Sequence, residues 1–237
     1  HRAGLMRVRL PACVASALAG ATMIVAWATS AAATPPADGT ILARAACERP
    51  ADSYAGYRER ALATHRDESA SAARVGLRMR PLADFESALL TEPEWTRRAS
   101  GAGIRCERIE YASDGLRVVA YLWRPDRASA APVPLVYFAR GGLGEASKLR
   151  PNTQFGFARF VEAGYAVLGS QYRGNDGGEG RESFGDGDVR DTLALAALAR
   201  NLGGFDLGNA YLLGYSRGGM VAALALARGL EVNAAAT

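Results

Sequence analysis

The stretch that decides the fold is Ala210-Tyr-Leu-Leu-Gly-Tyr-Ser-Arg-Gly-Gly219, an apolar run that ends at a serine flanked by glycines and opens into a helix-like segment. Gly214-x-Ser216-x-Gly218 has the spacing of a nucleophile elbow, a strained strand-to-helix turn that exposes the serine hydroxyl. Glycines suit such a turn because strand and helix approach each other closely there. We therefore predict that Ser216 is a nucleophile and that the backbone N–H of Arg217 stabilises the oxyanion.

A serine nucleophile needs a histidine base and an acid that orients this base. In the α/β-hydrolase order both follow the serine, whereas the histidines of this sequence are His1 and His65. His65 has polar neighbours in a helical segment, and we expect it to lie at the surface. The expectation is an α/β-hydrolase domain that is incomplete at its C-terminal end, with the triad acid and histidine beyond Thr237 and no activity in this chain alone.

The pattern upstream of the elbow alternates between strands and helices. Ser113-Asp-Gly115 is a hairpin signal between two strand-like runs. Such alternation favours a mostly parallel sheet with helices on both faces, and the antiparallel hairpin suits an edge of that sheet. The predicted strands are 104–111, 116–123, 133–138, 166–169, 210–213 and one from Val232, and the predicted helices are 155–162, 188–201 and 220–228.

A second oxyanion donor is expected in the loop that follows the strand 133–138. Arg140-Gly141-Gly142 occupies this position, and glycines allow backbone N–H groups to turn toward a developing charge. We predict that Gly141 and Gly142 contribute to the oxyanion hole. The alternative reading of the same residues is an ordinary tight turn.

Three motifs, taken in order, resemble the catalytic domain of the prolyl oligopeptidase family of serine peptidases. They are Tyr172-Arg-Gly-Asn-Asp-Gly-Gly-Glu-Gly180, then Phe184-Gly-Asp-Gly-Asp188 with Asp191, then Gly214-Tyr-Ser-Arg-Gly-Gly219. The resemblance covers about residues 104–237. It implies an α/β-hydrolase fold, a Ser-Asp-His triad with Ser216 as the nucleophile, and cleavage of peptide (acyl) bonds without a cofactor.

Two positions are interpreted through this resemblance. The family often has tyrosine or histidine before the two glycines of the oxyanion loop, where this sequence has Arg140, whose guanidinium is also able to donate to an oxyanion. Arg173-Gly174 matches the family's Arg-Gly loop beside the active site, and we assign it no catalytic step. The family's large β-propeller cannot be built from residues 34–103, so a carboxylesterase of the same fold stays open as an alternative. A non-catalytic fragment is the second alternative, because no triad acid or histidine is found after Ser216 in this sequence.

The N-terminus has the pattern of an export signal. Met6-Arg-Val-Arg9 is a short basic start, Pro11–Ala33 carries no charge, and Ala31-Ala-Ala33 fits a small-residue cleavage site. We predict a signal peptide over residues 1–33 with its start at Met6, export to the periplasm or medium, and no stable membrane association after cleavage. The alternative is an uncleaved anchor.

Residues 34–103 are predicted to form a linker and a helical extension, and residues 104–237 are predicted to form the hydrolase domain.

The net charge and the cysteine content limit which partners and which covalent links are expected. Three arginines in residues 1–33 account for most of the formal net charge of +4, which leaves +1 for residues 34–237. A nucleic-acid partner is therefore not expected, and the substrate is expected to be a peptide or small ester.

Cys47 and Cys106 can form a disulfide in an oxidising compartment, or stay free. No metal-ligand spacing is present, and Asp186, Asp188 and Asp191 are interpreted as helix-start acids.

Overall fold

The computed structural model describes residues 34–48, 53–100, 103–126, 131–144, 148–150 and 154–237. The predicted signal peptide, residues 1–33, lies outside the described residues. Pro35–Thr237 form one compact unit. Among the helices of the described ranges, none is both long and apolar enough to cross a membrane.

A seven-stranded sheet with the order β1-β2-β3-β5-β4-β6-β7 forms the centre of this unit. Its first three neighbouring pairs are antiparallel and its last three are parallel, so five of the seven strands run in one direction. This confirms the predicted mostly parallel sheet. The strands are β1 Ile41–Ala46, β2 Ile104–Ser113, β3 Leu116–Pro125, β4 Val133–Ala139, β5 Ala166–Ser170, β6 Phe205–Gly214 and β7 Ala234–Ala236.

Helices cover both faces of the sheet, as the sequence predicted. The helices are α1 Tyr54–Arg74, α2 Leu82–Ser87, α3 Glu92–Ala99, α4 Gln154–Glu162, α5 Asp186–Leu202 and α6 Arg217–Ala227. Side chains alternate between the two faces along a strand. On β3, Val118 and Leu122 accordingly belong to the core under α5 and α6, whereas Val119 and Trp123 belong to the core under α4.

The predicted hairpin joins β2 to β3. Asp114 and Gly115 have φ angles of 53° and 75°, and Ser113 pairs with Leu116 across the turn. Two consecutive residues of positive φ are typical of the type I′ turn, whose twist matches that of the strands it connects. The short motif Asp-Gly therefore fixes both the turn and the register of the two strands.

The predicted N-terminal helical extension is wrong for its first residues. Ile41–Ala46 form β1, which pairs antiparallel with β2, so β1 and not the hairpin lies at the edge of the sheet. Five of the six residues of β1 are exposed. A strand that buries neither face has no alternation of apolar and polar residues, so the residue pattern does not indicate a strand here. A disulfide between Cys47 and Cys106, with Cα atoms 5.3 Å apart, links the end of β1 to β2.

Residues 53–100 are helical, as expected, and pack through aromatic rings. The Tyr54 ring lies 6.2 Å from both the Tyr57 ring and the Trp95 ring. The Tyr54 hydroxyl donates to the carbonyl of Leu90, and the Tyr57 hydroxyl accepts the Leu90 N–H. These aromatic residues therefore pack the helical segment together.

Candidate active site

The elbow has the strand–turn–helix conformation that its motif predicts. β6 ends at Gly214, α6 begins at Arg217, and Ser216 between them is exposed with φ 55° and ψ −120°. A non-glycine residue in such a conformation costs about 1–3 kcal/mol and is typical of functional sites. The structure thus presents the Ser216 hydroxyl to solvent, and its role as nucleophile stays a prediction.

The two glycines of the motif are required by contact distances. A Cβ on Gly218 would lie 1.9 Å from the carbonyl oxygen of Ala139, and a Cβ on Gly214 would lie 2.5 Å from the carbonyl oxygen of Gly218. Both distances are shorter than any real carbon–oxygen contact. Only glycine therefore lets α6 leave β6 at this angle and pass close to the end of β4.

The glycine loop after β4 lies against the serine. β4 and β6 are neighbours in the sheet, so the loop 140–144 that follows β4 reaches the elbow. A Cβ on Gly141 would lie 3.1 Å from the Cβ of Ser216 and 2.7 Å from the carbonyl oxygen of Tyr215. The predicted oxyanion donors Gly141 and Gly142 are thus beside the nucleophile, and their function stays a prediction.

The position of Arg140 corrects one expectation. Its side chain is fully buried, with Nε and Nη2 donating to the carbonyl of Gln171 at 3.1 and 2.9 Å and Nη1 donating to the carbonyl of Gly141 at 3.1 Å. Nη2 also donates to Glu182 at 2.8 Å. The guanidinium lies beneath the loop instead of facing the exposed serine, so it is not placed to contact an oxyanion directly.

The side chain of Arg217 has a role that the sequence did not indicate. It is buried; Nη1 donates to the carbonyl of Gly142 at 2.5 Å, and Nη2 donates to Glu182 at 2.8 Å and to Asp188 at 2.9 Å. The guanidinium also lies 5.0 Å from the Tyr172 and Phe184 ring centroids. The carboxylate partners are about thirty residues away in sequence, so no local pattern could have predicted these pairs.

We call Arg140, Glu182, Asp188 and Arg217 the elbow network. Burial raises the pKa of Asp188. Burial would also raise the pKa of Glu182, but the hydrogen bond from Gly144 and the charge of Arg140 outweigh it, so this pKa is lowered. Two guanidinium groups thus face two carboxyl groups, which offsets the cost of burying their charges.

A second cluster, the hairpin network, consists of the buried residues Ser113, Arg173 and Asp191 and the exposed Asp114. Asp191 is fully buried and accepts hydrogen bonds from Ser113 Oγ at 2.7 Å and from the N–H, Nε and Nη2 of Arg173 at 2.8, 3.2 and 2.9 Å. Arg173 Nη1 also donates to Asp114 at 3.2 Å. This network joins the β2–β3 turn to the loop after β5, a structural role for the Arg173-Gly174 motif.

The acids at the start of α5 do more than was expected of helix-start residues. Asp188 accepts the N–H of Ser183, in the loop before the helix, at 3.1 Å, and it also pairs with Arg217. Asp191 belongs to the hairpin network, and exposed Asp186 pairs with Arg190 and Arg228. Within the described ranges, no group of three or more His, Cys, Asp or Glu side chains could hold a metal ion.

His65 is not the surface residue that was expected. It is buried, and its ring stacks on Phe85 with centroids 4.2 Å apart and an interplanar angle of 8°. Phe85 lies on α2, twenty residues after His65 on α1, so the packing of the two helices and not the local sequence buries this ring. His1 lies outside the described residues.

The sheet, the elbow and the adjacent glycine loop together define an α/β-hydrolase fold. A family model for the X-Pro dipeptidyl-peptidase (S15 family) matches residues 114–237, and the chain belongs to this family. The comparison supports a peptidase of the α/β-hydrolase class, but not the prolyl oligopeptidase family specifically.

Similar proteins include one curated peptidase and two esterases of known structure. The uncharacterized peptidase YtmA of Bacillus subtilis (strain 168) is 31% identical over 121 residues, which cover 51% of this chain and 45% of YtmA. The rice cell wall degrading esterase LipA from Xanthomonas oryzae has the same fold, with a TM-score of 0.50, 18% identity and coverage of 81% of this chain and 46% of LipA. Esterase Est22 is 26% identical, with a TM-score of 0.46 and coverage of 72% and 50%. The chain thus spans about half the length of these relatives.

Proposed function

We propose that the protein is an exported serine hydrolase that cleaves peptide bonds through a covalent acyl-enzyme on Ser216, without a cofactor. The observation that carries the proposal is the exposed Ser216, held at positive φ between β6 and α6 with Gly141 against it. Strain of this kind persists only where the surrounding structure maintains it. Membership of the S15 peptidase family supports the reaction class.

The geometry supports the following steps. Ser216 Oγ forms a bond to the substrate carbonyl carbon while its proton passes to a histidine base, and the carbonyl oxygen becomes an oxyanion. The N–H of Arg217, at the start of α6, and the N–H groups of the glycine loop donate to this oxyanion. The carbon–nitrogen bond then breaks, the amine leaves with the proton from the histidine, and water releases the acyl group. His65 is buried against Phe85, so we place the base and its acid outside the described residues.

The substrate class follows from the family more than from the site. The family description makes peptides with an N-terminal X-Pro dipeptide the first substrates to test. A carboxylesterase would use the same acyl-enzyme, so ester turnover far above amide turnover by the whole protein would favour that alternative. No nucleic-acid partner is proposed.

The test of the nucleophile uses the protein at its natural length. A fluorophosphonate probe should label it, and Ser216→Ala should abolish labelling, because the probe reacts only with an activated serine. Ser100→Ala is the matched control, since Ser100 is exposed at the end of α3 and should label like the wild type. Labelling that survives Ser216→Ala would mean that another residue is the nucleophile.

Residues 1–237 alone are expected to hydrolyse substrates negligibly, because a serine without a base is a poor nucleophile. Ester hydrolysis at an enzyme-like rate that Ser216→Ala removes would contradict this. His65→Ala would then show whether His65 supplies the base.

Export is proposed on the basic start and uncharged stretch of residues 1–33, with cleavage before Thr34 and no stable membrane association afterwards. N-terminal sequencing of exported protein should read from about Thr34. A membrane-bound protein that still begins at Met6 would contradict cleavage.

A further inference from the structure

Three consecutive carbonyl groups of the glycine loop are held from the buried side. The carbonyl of Arg140 accepts the Tyr172 hydroxyl at 3.1 Å. The carbonyl of Gly141 accepts Arg140 Nη1 at 3.1 Å, and the carbonyl of Gly142 accepts Arg217 Nη1 at 2.5 Å. All three donors belong to buried side chains.

These contacts fix the direction of the loop's N–H groups. In a trans peptide the carbonyl of one residue and the N–H of the next point in opposite directions, and the described residues contain no cis peptide. Carbonyls 140, 141 and 142 point to buried donors, so the N–H groups of Gly141, Gly142 and Leu143 point away from them. The exposed side of the loop therefore carries N–H groups, as an oxyanion hole requires.

Glu182 holds this arrangement together. Its Oε1 accepts from Arg140 Nη2 and from Arg217 Nη2, each at 2.8 Å. Its Oε2 accepts the N–H of Gly144 at 2.7 Å. One carboxylate thus orients both guanidinium groups and also fixes the far end of the loop, and its side chain is only 9% exposed.

We propose that Glu182 and the guanidinium of Arg217 are positioning residues that hold the N–H groups of residues 141–143 toward the oxyanion, an inference that rests on the proposed function. Arg217 links the two halves of the oxyanion hole. Its backbone N–H is the donor on the elbow, and its side chain orients the donors of the glycine loop. Neither side chain touches the substrate, so both act through the backbone.

The test compares Glu182→Gln with Asp191→Asn in the protein at its natural length. Glutamine keeps the size of Glu182 but has one acceptor oxygen, so it cannot serve both arginines and Gly144. Asp191 is a fully buried, arginine-paired carboxylate whose hydrogen bonds come from Ser113 and Arg173, which makes Asp191→Asn the control for loss of a buried carboxylate away from the glycine loop. Arg217→Lys is a second variant, because one ammonium group cannot replace the fork that reaches Gly142, Glu182 and Asp188.

We expect Glu182→Gln and Arg217→Lys to lower kcat about 10- to 100-fold, with KM changed less than about 3-fold, because misplaced donors weaken the transition state more than the ground state. Asp191→Asn should keep the wild-type kcat per folded molecule. A wild-type kcat in Glu182→Gln would overturn the proposal. Equal losses of kcat per folded molecule in Glu182→Gln and Asp191→Asn would also overturn it.

A second measurement does not depend on catalysis. Amide hydrogen exchange of residues 141–144 should become faster in Glu182→Gln and stay unchanged in Asp191→Asn, because only the first loses the acceptor of the Gly144 N–H. Unchanged exchange in Glu182→Gln would overturn the positioning role even if the wild type hydrolyses nothing. A wild type that does not label would instead disprove the proposed function.

Discussion

The antiparallel half of the sheet, β1-β2-β3, and the parallel half, β5-β4-β6-β7, are stabilised in different ways. The antiparallel half has a disulfide at its edge and a type I′ turn beside Ser113, whose hydroxyl donates to the fully buried Asp191 of α5. In the parallel half, β4 and β6 end at the glycine loop and the elbow, and the outer strand β7 is exposed.

From this difference we expect stability to depend more on the first half and activity more on the second. The carboxyl ends of parallel strands lie at one edge of a sheet, which is where ligands bind in open α/β folds. Ser216, with its strained backbone, follows one of these ends. We infer that the antiparallel half supplies rigidity that lets the parallel half keep this strain. Substitutions in the first half should therefore lower the free energy of unfolding, and those in the second should lower activity.

The largest effect on stability is expected from removing the disulfide. The double variant Cys47→Ser with Cys106→Ser should lose about 4 kcal/mol of unfolding free energy in the chain-entropy model, because the bond closes a long loop of the unfolded chain. Urea denaturation measures the loss, and activity per folded molecule should not change. Titration of the denatured, unreduced protein should find neither of these two thiols free. A loss below about 1 kcal/mol would contradict the chain-entropy account of this bond.

The next effect is expected at the hairpin network. Asp191→Ala should cost about 3 kcal/mol, because it takes away the buried carboxylate partner of Arg173 and leaves the exposed Asp114. Asp186→Ala removes an exposed carboxylate that also pairs with arginine, and it should leave the free energy of unfolding nearly unchanged because solvent screens an exposed pair. Equal costs in the two variants would mean that burial does not distinguish these pairs.

A smaller effect on stability, with a large effect on activity, is expected in the parallel half. Gly218→Ala would place a Cβ 1.9 Å from the Ala139 carbonyl oxygen, which should cost about 2 kcal/mol of overpacking. The displaced elbow should slow fluorophosphonate labelling about 100-fold. Gly208→Ala on β6, the strand before the elbow, is the control, because its Cβ would meet only the Asp206 side chain at 3.3 Å. Equal labelling of the two variants would show that the elbow tolerates this displacement.

The smallest effect expected is on the acid dependence of stability. Hydrogen bonds from Arg173 and Arg190 outweigh burial and lower the pKa of Asp114. The contribution of Asp114 to the free energy of unfolding is therefore present above the unfolded pKa of about 3.9, and it is lost as the pH falls through the folded pKa. Burial raises the pKa of Asp188. The contribution of Asp188 to the free energy of unfolding is therefore present at acid pH, and it is lost as the pH rises through the folded pKa.

The two carboxyl groups should therefore respond oppositely to substitution. Between about pH 5 and 3, Asp114→Asn should reduce the acid loss of unfolding free energy and Asp188→Asn should increase it. Urea denaturation across this range measures both slopes. Slopes that change in the same direction would contradict the signs assigned to the two groups.

Features set by neighbouring residues could be predicted from the sequence. The Asp114-Gly115 turn follows from the few residues that accept positive φ, and the elbow follows from glycines at fixed spacing about Ser216. The disulfide was left open beside free cysteines, and the structure forms it.

Features set by distant residues could not be predicted in this way. β1 is a strand because β2, some sixty residues later, pairs with it, and His65 is buried because α2 packs over it. Arg140 was expected to face the oxyanion, but Glu182 and the Gln171 carbonyl hold it inside. One sequence does not reveal which carboxylate a given arginine will contact after folding.

The Cys47–Cys106 bond has a consequence for limited proteolysis. It spans a sequence separation of 59 residues that includes α1, α2 and α3. A protease that cuts once anywhere between the two cysteines leaves both pieces covalently joined. The cut protein would run as a single band on a gel without reductant and as two bands after reduction. Under oxidising conditions, a single cut in these helices opens the loop that the disulfide closes but releases no fragment.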